Sequence, residues 1–451
     1  MAEEALLLFQ LGPVQGFIAQ AQEVKDLWAG SDLLSQVTFA ALQAVPDYRE
    51  KAVFPADAQT HEGIPNRFLV FVPRAQAAEI AHQAEEAASE KLTELADAAL
   101  AHPVCARVDR AAFLAQVSAF LQTSWAILPK PSGQMGKDYQ ALGKLLAARR
   151  NVRAFNAWHE RTLGALKDVL SGKEEALQDG LGAMNLIKRT LSRPEGKWVL
   201  PKEEKYLAVL MMDGDKMGET LSKFQTQAEH QQFSRKLKAF AGGVQAVVEA
   251  QGGTLIYAGG DDVLAVLPAT RALACAKSLC EAFRAQVGGD VSAGLAVGST
   301  QVPLQLIIEA ARQAEHRAKH DYGRSALALT VLKRSGEELR WGAKWEERGM
   351  KLFAELLEAH RGKANNESRF AYKLAGFLQP YFVDGKLPSK LKEVVKLETE
   401  HTLKQTQLED KEKWEAEVEE TLAVWPEERL ADFLNLFLCE TFISRNREDN
   451  V

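Results

Sequence analysis

The chain has 451 residues, 46% hydrophobic and 26% charged, a balance typical of a globular protein of about three domains. Its 55 Lys and Arg against 61 Asp and Glu give a formal charge of −6, which excludes a polybasic nucleic-acid binder and leaves only local patches for contact with RNA. Four cysteines without a CxxC pair exclude a disulfide framework and a zinc ribbon, and no apolar run reaches the length of a membrane span, so we expect a cytoplasmic protein without zinc and without a membrane partner.

The first part of the chain, residues 1–128, mixes strand and helix patterns. Continuous apolar runs and helical spacing predict five elements: strands over 5–14 and 66–73, and helices over 17–45, 76–102 and 109–128. Gly30-Ser31 predicts a break inside the first of these helices. These elements together predict a small α+β domain.

Residues 129–204 have a different composition, with clustered basic residues and several Gly and Pro residues. We interpret this segment as a helical linker or insertion module. Four of its side chains are candidates for direct contact with RNA: Lys144, Arg149, Arg150 and Arg153. A solvated helix face would explain the same charges equally well.

Residues 205–335 alternate strand and helix patterns in the order β-α-β-β-α-β, followed by one further helix and strand. That order is the split βαβ plan of ferredoxin-like palm domains. The predicted strands are YLAVLMMD, the hairpin TLIYAGGDDVLAVLP, VSAGLAVG and ALALTVL.

Residues 336–451 have helical spacing, caps and proline breaks, which predict a C-terminal bundle of about four helices.

Three aspartates stand at strand ends of this predicted palm. Asp213 ends the first strand, and Asp261 and Asp262 follow Gly259-Gly260 in the hairpin, where glycine allows the tight turn. The first strand and the hairpin are neighbours in a palm, so we expect the carboxylates to converge. Close carboxylates repel one another unless a cation neutralises them, and Mg²⁺ or Mn²⁺ prefers such oxygen ligands.

A further motif, AKHDYGR over residues 318–324, stands at the end of a predicted helix, just before the last strand. Lys319 on the rim of a carboxylate site can hold a triphosphate as a point charge. A lone GGDD is more often a plain polar turn, but its combination with Asp213 and Lys319 favours a nucleotide site. The predicted nucleotide-binding set also includes Gly214, Asp215, Gly259, Gly260 and Arg324.

The motifs DGDKMG, GGDD and AKHDYGR resemble the palm of nucleotidyl cyclases of the GGDEF type. The N-terminal stretch GPVQGFIAQAQEVKDLWAGSDLLS, followed by GIPNRFLVF, resembles the first palm of the large subunit of type III-B CRISPR effector complexes, the Cmr branch. The resemblance covers both palms and, by arrangement, the helical C-terminus. It implies an α+β fold with two ferredoxin-like palms that face each other.

This resemblance implies RNA-activated synthesis of cyclic oligoadenylates from ATP, with release of pyrophosphate, in a complex with other Cmr subunits, guide RNA and target RNA. By the same resemblance, Asp213, Asp261 and Asp262 bind the catalytic metals, Asp262 helps to deprotonate the ribose 3′-hydroxyl, and Lys319 contacts phosphates. Two alternatives are a structural scaffold of the same complex and a free-standing cyclase of the diguanylate type.

The first palm has Gly12-Pro13 where the second has Asp213, so the resemblance implies a degenerate palm that helps to hold ATP. Asp26 and Ser31 are candidate contributors, although capping or helix-surface roles would explain them equally well.

Two departures from the family concern a nuclease and a zinc module. The first palm starts at residue 5, so we expect no preceding HD nuclease domain, and residues 129–204 contain no cysteine for zinc.

Overall fold

Two β-sheets organise the chain, one in each half of the sequence. The structure is a computed structural model that describes residues 3–152, 164–191, 205–359, 369–383, 387–404 and 411–445. Within these residues the predicted α+β class with two palm-like sheets is confirmed. No helix in the described ranges is both long and apolar enough to cross a membrane.

The first sheet is antiparallel and has four strands. Its elements in chain order are β1 (Glu4–Gly12), α1 (Gln15–Ile18), α2 (Val24–Gln43), α3 (Tyr48–Lys51), β2 (Ala52–Phe54), β3 (Arg67–Pro73), α4 (Ala77–Leu100), α5 (Arg110–Phe120) and β4 (Gln122–Leu128). The strand order is β2-β3-β1-β4. β1 is an unbroken apolar run because both faces are covered: Leu7 and Phe9 join the core beneath α2 and α4, whereas Leu6 and Leu8 face the opposite side.

Two predictions in this half are wrong. Helix α2 continues through Gly30, where a Cβ atom would lie 2.9 Å from Cε of Lys188, so this glycine allows close packing and does not break the helix. The helix predicted over 109–128 ends at Phe120 and is followed by β4. Trp125 pairs with Phe9 of β1, and this strand pairing outweighs the helical spacing that continues from α5.

The described part of the linker contributes two helices, α6 (Met135–Asn151) and α7 (Ala183–Thr190). α6 covers the outer face of the first sheet, with Leu142 and Leu146 buried against Leu6 and Leu8. α7 packs against α2, α4 and α5 on the other face. Arg153, one of the four basic candidates, lies outside the described residues.

The second sheet has six strands in the order β10-β9-β8-β5-β7-β6. Its elements are β5 (Tyr206–Gly214), α8 (Met217–Lys223), α9 (Gln227–Ala250), β6 (Thr254–Gly259), β7 (Asp262–Pro268), α10 (Ala272–Gln286), β8 (Val291–Ser299), α11 (Leu304–His320), β9 (Ala326–Leu332) and β10 (Glu338–Lys344). The predicted strands are present, and β10 extends the sheet beyond residue 335, where the sequence places the end of the palm. Trp341 of β10 is fully buried and stacks on Phe353.

Five helices follow among the described C-terminal residues, where the sequence predicts about four. They are α12 (Arg348–Ala359), α13 (Arg369–Leu378), α14 (Lys392–Lys404), α15 (Lys411–Ala423) and α16 (Leu430–Arg445). α16 packs against β10 and α12, so the bundle is joined to the second palm by a continuous core.

The two palms share a hydrophobic core. Val209 and Ile256 of the second sheet and Ile307 of α11 belong to the same cluster as Phe9 and Leu27 of the first palm. Strand β5 therefore has protein on both faces, which explains its unbroken apolar sequence. As a consequence, the end of β5 lies beside the boundary between the palms.

Candidate functional site

The three aspartates meet at the junction of β5 and the β6–β7 hairpin. β5 is hydrogen-bonded to β7 with Met212 opposite Val263, and Gly259 lies opposite Asp262 across the hairpin. One carboxylate oxygen from each of Asp213, Asp261 and Asp262 lies within 4.8 Å of the others. In the described part of the chain this is the one group of three or more His, Cys, Asp or Glu side chains with such spacing.

The glycines of the site allow this close approach. Gly260 has a φ of +81°, in the left-handed region that glycine tolerates without strain. At Gly214 a Cβ atom would lie 2.9 Å from Cβ of Asp261, so the absence of a side chain lets the hairpin tip rest against the end of β5. At Gly259 a Cβ atom would overlap the hydroxyl of Tyr257.

Lys319 reaches this cluster from the last turn of α11. Its Nζ atom forms an ion pair with the carboxylate of Asp213 and lies 2.5 Å from Oε1 of Glu315, four residues earlier on the same helix. Burial lowers the pKa of Lys319, but its bonds to the two carboxylates outweigh burial and raise it overall. Lys319 is therefore a fixed positive charge at neutral pH. Sequence reasoning missed Glu315, although its i, i+4 spacing from Lys319 is a usable signal.

The carboxylates differ in how readily they ionise. Burial and the charge of Asp213 raise the pKa of Asp261 to about 6. Burial, a hydrogen bond with Asp213 and the charges of both neighbours raise the pKa of Asp262 well above its usual range. Burial also opposes the ionisation of Asp213, but hydrogen bonds with Asp262 and Lys319 lower its pKa overall. Three carboxylates that resist joint ionisation are a donor set suited to a divalent cation.

Asp215 and Arg324 lie on another side of the same turn. The carboxylate of Asp215 accepts hydrogen bonds from Oγ of Ser292 (2.7 Å), the backbone N–H of Ser325 (2.8 Å) and Nη1 of Arg324 (3.3 Å). Its side chain is 6% exposed. Asp215 therefore fastens the loop after α11 to the end of β5, and a direct contact of Asp215 or Arg324 with nucleotide stays a prediction.

The two candidates of the first palm have separate surroundings. Asp26 is buried and accepts hydrogen bonds from the backbone N–H groups of Gln22 (2.9 Å) and Glu23 (3.0 Å) at the start of α2. It also forms an ion pair with Arg189 of α7 at 3.1 Å, so its contacts are those of a capping residue. Ser31 lines a cavity of about 500 Å³ whose wall includes Gly260. A contact of either residue with ATP stays a prediction.

A larger cavity, of about 1040 Å³, separates the two palms beside the aspartates. The second palm contributes Asp213, Asp262 and Lys319 to its wall, and the first palm contributes the ends of β1 and β4. Its volume is at the upper end of the range of small-molecule sites. Arg150 of α6 also lines this cavity, a position that sequence reasoning did not anticipate.

Two parts of the chain match known protein families. Residues 206–328 match the family described as Cas10/Cmr2, second palm domain, and residues 6–97 match the family CRISPR-associated protein Cmr2, N-terminal. The CRISPR system Cmr subunit Cmr2 of Pyrococcus furiosus is 29% identical over 215 residues. That match covers 40% of this chain and 24% of the relative's own length.

Solved structures of type III complexes share the fold. The apo state of type III-B Cmr-beta aligns with a TM-score of 0.65 at 10% identity, over 90% of this chain and 78% of that one. The Csm1–Csm4 cassette in complex with cA4 aligns with a TM-score of 0.57 at 15% identity, over 98% and 70% of the two chains. The resemblance to the large subunits of type III-B effector complexes is thus confirmed: residues 206–328 match the second palm of the Cas10/Cmr2 family, and residues 6–97 match the N-terminal region of Cmr2.

Proposed function

We propose that this protein synthesises cyclic oligoadenylates from ATP as the large subunit of a type III-B CRISPR complex. The observation that carries the proposal is the cluster of Asp213, Asp261 and Asp262 on the wall of a cavity between two palms. The Csm1–Csm4 cassette, a fold neighbour solved in complex with cA4, supports this class of product. The family of the second palm supports nucleotide chemistry at this site.

Asp213, Asp261 and Asp262 would hold Mg²⁺ or Mn²⁺. Such ions, when bound, would neutralise the carboxylates and the phosphates. They would also stabilise the negative charge that develops on the attacking and leaving oxygens. The raised pKa values of Asp261 and Asp262 fit this role, because a nearby cation relieves the repulsion that causes them.

The chain's own residues would orient the reactants and move the proton. The 3′-oxygen of one ATP attacks the α-phosphorus of another, a new P–O bond forms, and the bond to pyrophosphate breaks. Asp262 would help to deprotonate the 3′-hydroxyl, because its carboxylate lies beside that of Asp213 on the wall of the cavity. Lys319, held by Asp213 and Glu315, contributes a positive charge to the phosphates.

Activation would depend on partners. A chain with a net charge of −6 offers a weak field for guide and target RNA, so other Cmr subunits would present the RNA. We expect the isolated chain to be weakly active or silent, and to bind RNA poorly. Strong, salt-sensitive binding of guide RNA by the isolated chain would contradict this part of the proposal.

Release of pyrophosphate from ATP and from GTP tests the proposal, measured for the isolated chain and for the reconstituted complex with target RNA. We expect release from ATP only in the RNA-activated complex, and loss of release in the Asp261→Ala, Asp262→Ala double variant. Turnover of GTP by the isolated chain would favour a free-standing diguanylate-type cyclase. An assembled complex that releases no pyrophosphate would favour a structural scaffold.

A further inference from the structure

Arg150 has an unusual position for a surface arginine. It lies in the last turn of α6 and lines the same cavity as Asp213, Asp262 and Lys319, although it belongs to the opposite half of the molecule. Its side chain is exposed and has no hydrogen bond or ion pair with any residue that the structure describes. The guanidinium group is thus available to a ligand in the cavity.

The packing of α6 fixes where Arg150 points. Leu142 and Leu146 bury one face of the helix against the first sheet, and Arg150 follows Leu146 by one turn on that face. The other end of α6 is anchored to the second palm, because the N–H groups of Met135 and Gly136 donate to the carbonyls of Gln225 (3.0 Å) and Phe224 (2.8 Å). Arg150 therefore extends from a helix that packs on the first sheet and is hydrogen-bonded to the second palm.

The neighbouring arginine makes a different contact. The guanidinium of Arg149 lies 3.7 Å from the centre of the Trp125 ring, so this side chain is used in packing against β4. Lys137, near the start of α6, is exposed and does not line the cavity. Of these three basic residues of α6, only Arg150 lines the cavity between the palms and can contact a ligand there.

The charge balance of the cavity favours an anionic ligand at Arg150. On one wall Lys319 shares its charge with the carboxylates of Asp213 and Glu315, whereas Arg150 on the other wall has no ion pair with any described residue. A nucleoside triphosphate adds negative charge to a cavity whose wall already holds carboxylates, and a guanidinium group binds phosphate oxygens in a bidentate manner. We propose that Arg150 binds the triphosphate of a nucleotide in this cavity, in place of the RNA contact that its sequence context suggests.

This inference rests on the proposed function for the identity of the nucleotide, but it can be tested by binding alone. The test uses the full chain in its reconstituted complex, with the variants Arg150→Ala, Arg150→Lys and Lys137→Ala. The probes are α,β-methylene-ATP, which cannot release pyrophosphate, adenosine, which lacks phosphates, and target RNA. The dissociation constant of each probe is measured in the presence of Mg²⁺.

We expect Arg150→Ala to raise the dissociation constant of the analogue on the order of tenfold, since a hydrogen bond to a charged group is lost. Adenosine and RNA should bind as before, Arg150→Lys should recover part of the loss, and Lys137→Ala should match the parent. Unchanged binding of the analogue, equal weakening for adenosine, or a loss confined to RNA would overturn the inference. Binding that depends on Arg150 in a complex that makes no product would overturn only the proposed function, whereas failure of the parent to bind the analogue would overturn both.

Discussion

At the scale of single residues, Asp213 and Asp215 show how two positions in one turn differ in role. The side chain of Asp213 faces the other two carboxylates and Lys319. The side chain of Asp215 faces Ser292, Arg324 and Ser325, which satisfy it with three hydrogen bonds. We therefore propose that Asp213 binds metal, whereas Asp215 holds the loop after α11 in place.

Substitution of these two residues should separate activity from stability. Asp213→Asn should lower the rate of product formation by about 10²-fold or more, because a metal ligand is lost, and should leave stability near that of the parent. Asp215→Ala should lower the free energy of unfolding by about 2 kcal/mol, because it leaves buried donors without an acceptor. Denaturant unfolding and pyrophosphate release measure the two effects. An Asp213→Asn variant with the parental rate would refute the metal assignment.

At the scale of elements, helix α6 connects the first palm to the second. Its buried face covers the first sheet, and its first turn lies against the end of α8. At Gly136 a Cβ atom would lie 2.1 Å from the carbonyl oxygen of Ser222, so the backbones of α6 and α8 are in direct contact at this point. Gly143 lies in the same helix with no atom within 4 Å of such a Cβ.

These two glycines make a matched pair for mutation. Gly136→Ala should destabilise the protein by about 2 kcal/mol or more, because backbone atoms must move apart. Gly143→Ala should stabilise it by about 0.5–1 kcal/mol, since alanine favours a helix over glycine and meets no neighbour. Thermal or denaturant unfolding of both variants measures the difference. Equal effects of the two substitutions would mean that α6 does not dock on α8 as described.

Elements with a strong local pattern could be predicted from the sequence, and those decided by distant contacts could not. The GGDD hairpin has its turn glycines between two apolar strands, and the structure has it there. By contrast, β4 follows α5 with one intervening residue and is defined by its pairing with β1, and β10 by its pairing with β9. Gly30 has its partner, Lys188, far along the chain.

The same distinction applies to the site. Asp213, Asp261 and Asp262 stand in motifs whose strands are neighbours in any palm, so their convergence follows from topology. Arg150 could not be assigned in this way, because its approach to the cavity depends on the packing of a linker helix on the first sheet. Residues supplied by a second domain are therefore the part of this site that motif reasoning misses.

At the scale of the whole molecule, the C-terminal bundle is connected to the loop that follows Lys319. The hydroxyl of Tyr322 donates a hydrogen bond to Oδ2 of Asp432 on α16, at 3.0 Å, and the guanidinium of Arg429 lies over the Tyr322 ring. Burial raises the pKa of Asp432 to about 6, although the bond from Tyr322 and the charge of Arg429 oppose the rise. A movement of the bundle would therefore displace Tyr322, which belongs to the same 318–324 motif as Lys319.

The burial of Asp432 should make stability depend on pH. The pKa of Asp432 is higher in the folded state, about 6, than its ordinary value of 3.8, so the folded state binds the proton more tightly. The resulting stabilisation is absent above about pH 6 and grows as the pH falls towards about 4. Relative to Asp432→Asn, the parent should gain about 2 kcal/mol between about pH 7 and about pH 4.5 in denaturant unfolding. A difference that does not change with pH would show that Asp432 is not buried against Tyr322.

The most direct test of the central claim is mass spectrometry of the products that the reconstituted, target-RNA-activated complex makes from ATP. We predict ring-closed oligoadenylates, whose masses are whole multiples of one adenylate residue without a terminal phosphate. The Asp261→Ala, Asp262→Ala double variant should assemble normally and make none. Products that join ATP to another acceptor, or oligoadenylates that persist in the double variant, would contradict the account.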